Sequence, residues 1–383
     1  MADIQTITMP KWGLAMTEGM VAEWHVEPGA EIASGEEIMD IETSKITNAF
    51  ESPVAGTLRR IVVEPDAMVP VGALLGIVAE DGVADADIDA FIERFNEAFE
   101  AQAAEAEVAV EPEYADAGGR RIRYLQAGEG DETPVVMIHG FGGDLNSWMF
   151  NQPDLAVDRA VYAIDLPGHG GSEKQVGVGD VGELSTTVLA FMDALGIETA
   201  HLVGHSLGGA IALGLALNHA GRVASVTGLC TAGLGPDINM DYIDGFIGAG
   251  RRKQLKPVLE MLVHDPGLIT RDMLDEVLKF KRLDGAEAAL NAIATAAFDG
   301  GRQVLQLTAK LDALAVPAQV IWGSDDRIVP AYHADGLPDT VAVHVLMETG
   351  HLAHMERAND VNKLIGDFIE GHGSRAVLIN PSA

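Results

Sequence analysis

The pattern of hydrophobic and polar residues changes once along the chain, near residue 114. Before that point, short stretches alternate apolar and polar residues, as expected of strands with one buried face. After it, short apolar runs alternate with segments of helical periodicity, which favours a mainly parallel sheet covered by helices. The strands predicted in this second part are 134–139, 160–165, 200–204, 223–229, 318–322 and 342–347. The pattern therefore predicts a small all-β domain followed by an α/β domain.

The first 80 residues contain an internal repeat with an offset of 37 residues, because the stretch that begins at Gly19 is repeated from Gly56. Both copies include the sequence Val-Glu-Pro, at 26–28 and at 63–65. Two similar halves predict two small sheets packed face to face as a flattened β-sandwich. Residues 43–46, Thr-Ser-Lys-Ile, lie between the copies, where the first half must reverse its direction. This placement predicts that Lys45 stands at the tip of a hairpin.

This arrangement resembles the lipoyl and biotinyl carrier domains, and the resemblance covers residues 1–80. As in that family, a glycine lies about one strand-length from the lysine on each side, here Gly35 and Gly56. Residues 41–43, Ile-Glu-Thr, favour lipoate, since biotin carriers place a methionine on each side of the lysine. Ser44 departs from the aspartate that many lipoyl domains have there. The resemblance implies lipoate joined covalently to Lys45 as a flexible arm.

Residues 81–113 form the most acidic part of the chain, with eleven Asp or Glu residues and one Arg. Such a composition is typical of a solvated connector. Within it, Ile88, Ile92, Phe95 and Phe99 recur at helical spacing. We therefore predict an acidic linker with one amphipathic helix that packs on a domain or on another copy; the alternative is a docking element for partner enzymes.

A nucleophile elbow is predicted at Gly204-His205-Ser206-Leu207-Gly208, between a predicted strand and an Ala/Leu-rich predicted helix. In an elbow of this kind, a tight turn raises the serine above the sheet. The N–H of Leu207, at the start of the helix, can donate to an oxyanion. The N–H of Phe141, in the glycine-rich turn 139–143, is the predicted second donor.

These motifs, with Asp326 and His351 near later strand ends, resemble the α/β-hydrolase family over residues 114–372. The resemblance implies that Ser206 attacks an acyl carbon, His351 is the base and Asp326 orients its imidazole. Asp325 and His354 are the alternatives. The family places the acid four residues after a tryptophan and the base directly after a glycine, which favours Asp326 and His351. His169 and His205 are predicted to be structural.

Between about residues 231 and 310 the strand pattern gives way to helical segments, where this family inserts a cap. Arg251, Arg252, Lys253 and Lys256 form a basic cluster there. The cluster is either a solvated helix face or a site for phosphate groups such as those of coenzyme A. Under the second interpretation, the first three of these residues are the candidate phosphate contacts. Residues 373–383 are predicted to be a C-terminal tail.

Composition restricts the partners. A net charge of −33 argues against nucleic acid and anionic membranes. No apolar run reaches the length of about 20 residues that a membrane helix needs. The single cysteine, Cys230, is predicted to be a small buried residue and excludes an internal disulfide. With no secretory signal at the start, these features predict a cytoplasmic protein, and no metal site is predicted.

Over essentially its whole length the chain resembles the dihydrolipoamide acetyltransferase subunits of bacterial acetoin dehydrogenase complexes, most closely at residues 9–32. This implies acetyl transfer from lipoyl-Lys45 to coenzyme A. It also implies a thiamine-diphosphate-dependent acetoin dehydrogenase and a dihydrolipoamide dehydrogenase as partners, and a homo-oligomer. Other 2-oxoacid dehydrogenase acyltransferases use a His-x-x-x-Asp-Gly motif. Here Phe280 and Thr295 stand where that histidine would be, so their trimeric catalytic fold is not expected.

Two other functions remain open from the sequence. The first is a thioesterase or esterase with a tethered carrier, which would release the acid to water. The second is a carrier protein whose hydrolase domain is not catalytic.

Overall fold

The computed structural model describes residues 4–10, 18–42, 47–80, 82–107 and 111–372, and the chain divides into two units, residues 1–109 and 110–383. No helix among these described residues is long and apolar enough to cross a bilayer.

Two four-stranded antiparallel sheets form the described part of the first unit. Their strands are β1 (Ile4–Thr8), β2 (Glu18–Trp24), β3 (Glu31–Ile32), β4 (Glu37–Glu42), β5 (Thr47–Glu51), β6 (Gly56–Ile61), β7 (Ala67–Pro70) and β8 (Leu74–Ala79). The order is β1-β8-β6-β3 in one sheet and β5-β4-β2-β7 in the other. Each half of the repeat therefore contributes two strands to each sheet. The predicted flattened sandwich is confirmed.

The apolar positions of the repeat form the core of this sandwich, because alternate residues of every long strand point inward. Val21 and Ile41 from one sheet and Leu58 and Leu75 from the other are fully buried in a common cluster. The solvent-facing positions between them carry the charged residues of the pattern.

Helix α1 (Asp85–Glu107) packs on the sandwich and is longer than the segment Ile88–Phe99 from which it was predicted. Ile88 is fully buried against Leu74 and Ile77 of β8. Ion pairs fix the start of the helix, with Arg59 on Asp85 at 3.1 Å and Arg60 on Asp89 at 3.2 Å. The first part of the predicted linker is thus attached to the carrier sheets.

In the second unit, the described residues form an eight-stranded sheet in the order β18-β17-β14-β13-β11-β12-β10-β9. The strands are β9 (Glu113–Ala117), β10 (Arg120–Ala127), β11 (Val135–Ile138), β12 (Val161–Ile164), β13 (Ala200–His205), β14 (Val223–Leu229), β17 (Ala318–Gly323) and β18 (Val341–Leu346). A separate short hairpin is formed by β15 (Phe298–Asp299) and β16 (Arg302–Gln303). All neighbours from β12 to β18 in the large sheet pair in parallel, whereas β9 and β10 are antiparallel.

Helices cover this sheet. They are α2 (Gln152–Leu155), α3 (Val181–Ala194), α4 (Leu207–Asn218), α5 (Met240–Gly248), α6 (Arg252–Leu259), α7 (Arg271–Lys281), α8 (Ala286–Ala297), α9 (Ala353–Glu356) and α10 (Ala358–His372). Four of them, α5 to α8, lie between β14 and β17 in the chain and form the predicted helical cap. The α/β fold and all six predicted strands are confirmed, each to within one residue. The prediction missed the antiparallel hairpin of β9 and β10.

Candidate active site

Ser206 lies in a strained turn between β13 and α4, with φ 52° and ψ −113°. Flanking glycines permit the turn. A Cβ on Gly204 would lie 2.2 Å from the carbonyl oxygen of Gly208, and a Cβ on Gly208 would lie 2.0 Å from that of Ile138. Such left-handed strain in a non-glycine residue marks functional sites, because the surrounding structure must hold it in place. The turn is the predicted nucleophile elbow.

The buried side chains of Asp326 and His351 form a hydrogen bond of 2.7 Å between Oδ2 and Nδ1. The other carboxylate oxygen of Asp326 accepts the backbone N–H groups of Ile328, at 2.8 Å, and Val329, at 3.0 Å. The carboxylate is therefore fixed in orientation, and it in turn fixes the imidazole so that its Nε2 is available for proton transfer. The structure brings together the predicted acid and base.

His351 is also anchored to the nucleophile turn through its backbone. The Nε2 of His205, the residue before Ser206, lies 2.9 Å from the carbonyl oxygen of His351. The two rings are 4.6 Å apart. Burial, with a smaller repulsion from His354 and His351, holds the pKa of His205 well below its usual value. His205 is therefore a neutral hydrogen-bonding group, which fits its predicted structural role.

The two alternative residues lie in different surroundings. Asp325 is half exposed and pairs with His264 of the cap, at 2.5 Å from Oδ2 to Nδ1. Both line an open groove of about 380 Å³. His354 is fully buried between Trp148 and His205, and neither ring nitrogen has a hydrogen-bond partner among the described residues. Neither alternative pairs with the other, so the geometry favours Asp326 and His351.

Two backbone N–H groups beside Ser206 are available for an oxyanion. Those of Phe141 and Leu207 donate to no acceptor within the part of the chain that the structure describes. The loop that carries Phe141 approaches closely, since a Cβ on Gly140 would lie 3.0 Å from the Cβ of Ser206. The next N–H, of Gly142, is already used, because it donates to Nε2 of His169 at 3.1 Å.

His169 accepts this bond because it is neutral. Burial lowers the pKa of His169 to about 3, helped by the neighbouring His139. The ring thus holds the glycine-rich loop while the Phe141 N–H stays free. The sequence motif does not show which of the two adjacent N–H groups, that of Phe141 or that of Gly142, already donates a hydrogen bond.

Phe246 of α5 covers this loop from the cap. A Cβ on Gly142 would lie 2.5 Å from its ring, and the rings of Phe141 and Phe246 are 6.0 Å apart. The ammonium group of Lys281 holds the C-terminal end of α5 by donating to the carbonyl oxygens of Phe246, Ile247 and Ala249. Sequence reasoning missed Lys281, because its three acceptors lie more than 30 residues away.

Cys230 is buried at the end of β14, as predicted, but it lies within 4.8 Å of Asp326 and His351, which makes these three a possible metal-ligand set. Burial, with the nearby charge of Asp326, raises the pKa of the Cys230 thiol well above its usual value. A protonated thiol is a poor metal ligand. The closeness of these three side chains is explained by the hydrogen bond between Asp326 and His351, without a metal ion. A second possible set, Glu23, His25 and Asp40, lies on the surface of the first unit.

Lys45 lies outside the described residues. The structure does describe the strands on either side of it, since β4 and β5 pair antiparallel up to Glu42 and Thr47. Four residues, 43–46, therefore connect two adjacent antiparallel strands.

The basic cluster of the cap lies on exposed surface at the start of α6. Arg252 forms a bidentate ion pair with Asp275 of α7, at 2.6 Å from Nη2 to Oδ2. Lys256 pairs with Glu260 at 3.6 Å. The side chains of Arg251 and Lys253 have no hydrogen bond or ion pair within the described residues.

Comparisons with known proteins agree with this description. Residues 133–358 match the model of the α/β-hydrolase fold, and residues 5–78 match a family described as biotin-requiring enzymes. The chain is 48% identical to the dihydrolipoyllysine-residue acetyltransferase component of the acetoin cleaving system of Pseudomonas putida, over 97% of this chain and all of that protein. It is 45% identical to the component of the same name from Cupriavidus necator, over 95% of this chain and 97% of the relative.

Among solved structures, the second unit is similar to a 2-hydroxy-6-oxo-6-phenylhexa-2,4-dienoate hydrolase from a Rhodococcus species. The TM-score is 0.62 at 24% identity, and the match covers 68% of this chain and 98% of that one. At this identity the likeness concerns the fold.

Proposed function

Since the chain belongs to the dihydrolipoyllysine-residue acetyltransferase components of acetoin cleaving systems, we propose that Ser206, His351 and Asp326 carry out its acetyl transfer through an acyl-serine. The observation that carries this proposal is the buried Asp326–His351 pair, anchored beside the strained Ser206 turn. The family membership confirms the predicted resemblance and the predicted acyltransferase activity.

The carrier part of the proposal assigns Lys45 as the attachment site of lipoate. A four-residue connection between paired antiparallel strands supports this assignment, because the strands on either side of residues 43–46 are adjacent in the sheet. When attached, the lipoyl group supplies the acyl group as a thioester. We assign the carrier function to residues 1–80, with α1 packed on them, and the acyl-transfer function to residues 114–372 with the cap at 231–310.

In the first half-reaction, Ser206 Oγ attacks the thioester carbonyl carbon while His351 Nε2 accepts its proton. The N–H groups of Phe141 and Leu207 hold the oxyanion that forms. When the carbon–sulfur bond breaks, His351 returns the proton to the departing sulfur, and the acetyl group stays on Ser206. Asp326 stabilises the imidazolium throughout, since its carboxylate is fixed by two backbone N–H groups.

In the second half-reaction, His351 accepts the thiol proton of coenzyme A, and the sulfur attacks the acetyl-serine carbonyl carbon. The same two N–H groups hold the second oxyanion. Ser206 leaves with the proton from His351, and acetyl-coenzyme A is the product. Phe246, pressed against Gly142, limits the space above the loop and so limits the access of water to the acyl-serine.

As a component of an acetoin cleaving system, the chain works with other components. We assign these as a thiamine-diphosphate-dependent acetoin dehydrogenase, which forms the acyl group, and a dihydrolipoamide dehydrogenase, which reoxidises the arm. We further propose a homo-oligomer in the cytoplasm. A disulfide-free chain with a single, buried cysteine supports that compartment.

The test supplies purified protein with acetyl-lipoamide, with and without coenzyme A, and identifies the acetyl product by mass spectrometry. We expect acetyl-coenzyme A as the main product and only slow acetate release without the acceptor. Acetate as the main product in both cases would indicate a thioesterase. Full activity of Ser206→Ala would indicate a carrier with a non-catalytic hydrolase domain.

The attachment site is tested separately by intact-mass measurement after coexpression with a lipoate ligase. Wild-type protein should gain one lipoyl increment, and Lys45→Arg should gain none. Arg59→Lys is a matched control, because it adds a lysine to β6 without changing the 43–46 connection. An unchanged increment in Lys45→Arg would contradict the assignment.

A further inference from the structure

The cap reverses the charge of the chain over one continuous segment. Residues 251–282 carry eight Lys or Arg and five Asp or Glu, a net of +3, whereas the remaining 351 residues carry a net of −36. At the long range where only net charge matters, the chain repels anions. An anionic ligand therefore needs a local site of opposite sign, and this segment offers one.

Helix stability does not explain where these cations lie. Arg251 precedes α6 as its N-cap residue without a side-chain cap, α6 begins with Arg252 and Lys253 and has no acidic residue in its first turn, and α7 begins with Arg271. The N-terminus of a helix carries a partial positive charge, so cations there are unfavourable. The same N-terminus favours a bound anion through its free N–H groups.

Two further arginines, Arg271 and Arg282, lie near Asp275. Arg271, Asp275 and Arg282 follow one another at intervals of four and seven residues, which places them along one face of α7. The hydrogen bond from Arg252 lowers the pKa of Asp275, and the charges of Arg271 and Arg282 add to this effect. The guanidinium groups of Arg271 and Arg282 have no hydrogen bond or ion pair in the described parts of the chain. Unpaired arginines are unexpected in a chain with 58 acidic residues.

These arginines are close in sequence to the residues that hold Phe246 over the oxyanion loop. Lys281, the residue before Arg282, binds the carbonyl oxygen of Ala249, which lies two residues before Arg251. The same ammonium group binds the carbonyl oxygen of Phe246, whose ring covers Gly142. Lys281 therefore connects the segment before Arg251 to the residue before Arg282, and it also holds Phe246 over Gly142.

We propose that Arg252, Arg271 and Arg282, together with the N-terminus of α6, bind the phosphate groups of coenzyme A, and that Asp275 competes with them for Arg252. This inference rests on the proposed function. The proposal requires the pantetheine arm of coenzyme A to extend from these arginines to Ser206. Binding breaks the Arg252–Asp275 pair, or the phosphate shares the guanidinium with Asp275.

The test compares three acceptors that share the same thiol: coenzyme A, dephospho-coenzyme A and pantetheine. The quantity measured is the ratio of kcat/KM for coenzyme A to kcat/KM for pantetheine. In Arg271→Ala/Arg282→Ala we expect this ratio to fall by about 10- to 100-fold, since each lost arginine–phosphate contact is a charge-assisted hydrogen bond. The ratio for dephospho-coenzyme A should fall less. Asp275→Asn should raise the ratio about threefold, because it removes the competing carboxylate.

Arg121→Ala is the matched control, because Arg121 is exposed on β10, with its guanidinium over the Tyr114 ring and outside the proposed phosphate site. Its ratio should equal that of the wild type. Calorimetric titration of coenzyme A into each variant gives a readout independent of turnover, and thermal unfolding shows that the variants are folded.

The outcomes separate the two proposals. Acetyl-coenzyme A formation with the same ratio in Arg271→Ala/Arg282→Ala and in wild type would overturn the phosphate site and leave the acetyltransferase function intact. Acetate as the product from every acceptor would overturn the proposed function itself.

Discussion

Two adjacent aspartates of the second unit each pair with a histidine, and the two pairs differ in almost every other respect. Asp326 and His351 are buried, and two backbone N–H groups fix the carboxylate. Asp325 and His264 are nearly half exposed at the side of a groove, and the hydroxyl of Ser324 is the other donor to the carboxylate. The first pair joins two strand ends of the sheet, whereas the second joins the cap to the sheet.

The difference shows what burial adds to the same two side chains. In a buried site, electrostatic interactions are stronger and a fixed carboxylate can stabilise a developing imidazolium. At the surface, water screens the pair and competes for its hydrogen bonds, so an exposed pair contributes little. We therefore expect catalysis to depend on the buried pair and the exposed pair to act as a weak cap contact.

The largest effect is expected from replacing Ser206, the proposed nucleophile beside the buried pair. Ser206→Ala should lower kcat for acyl transfer by about 10⁴- to 10⁶-fold, because no other group can form the acyl-enzyme. Single-turnover assays with acetyl-lipoamide measure this loss, and intact mass shows whether the acetyl adduct is absent. An acetyl adduct on Ser206→Ala would place the nucleophile elsewhere.

The second effect concerns the buried pair itself. Asp326→Asn should lower kcat by about 10⁴-fold, because an amide cannot stabilise the imidazolium and favours the wrong tautomer. The substrate KM should change little. The measurement is kcat for a small uncharged ester, so that the acceptor plays no part. A loss similar to that of Asp325→Asn would remove the distinction between the two pairs.

The third effect concerns Glu356, which connects the two pairs. Its carboxylate accepts the backbone N–H of His264 at 2.7 Å and that of Gly350, the residue before His351, at 2.8 Å. Glu356→Gln leaves one acceptor oxygen for two donors, so we expect kcat to fall by about 10-fold through displacement of His351. Glu370→Gln, an exposed change on α10, is the control. No loss of kcat in Glu356→Gln would mean that His351 does not need this support.

The smallest effect is expected at the exposed pair. Asp325→Asn should change kcat less than about threefold and lower the melting temperature slightly. Hydrogen bonds from Ser324 and then His264 lower the pKa of Asp325 below its usual value of 3.8. A lowered pKa in the folded state stabilises the protein above the unfolded value, and this stabilisation is lost as the pH falls through the lowered value.

The difference in melting temperature between wild type and Asp325→Asn should therefore be present at neutral pH and disappear in the acid range below pH 3.8. Thermal unfolding across that range is the measurement. A difference that stays the same below pH 3.8 would show that the Asp325 carboxylate is not stabilised by the pair.

The local parts of this site could be predicted from the sequence, and the long-range parts could not. The elbow depends on neighbouring residues, since glycines two positions either side of Ser206 permit its turn. Five of the six parallel strands are buried apolar runs because both faces of the sheet are covered there, whereas β18 lies at the sheet edge and is largely exposed. By contrast, β9 and β10 form an antiparallel edge with many polar residues, and their signal was the Gly118-Gly119 turn between them.

The contacts that sequence reasoning missed join residues far apart in the chain. His264 meets Asp325 across 61 residues, and Arg252 meets Asp275 across 23. Each of these side chains is polar and compatible with plain exposure, so its own position gives no sign of a partner. Only the packing of the cap helices decides which of them meet.

The exchange of strands between the halves of the carrier has a consequence for biosynthesis. Each of its two sheets needs strands from both halves, and β8 is hydrogen-bonded to β1 and β6. A nascent chain that has emerged only as far as Lys45 has no complete sheet, and two or three isolated strands are at best marginally stable in water. The sandwich can close only after Ala79 has left the ribosome. A ligase that modifies Lys45, the proposed attachment site, and recognises the folded carrier would therefore meet this lysine only on a finished domain.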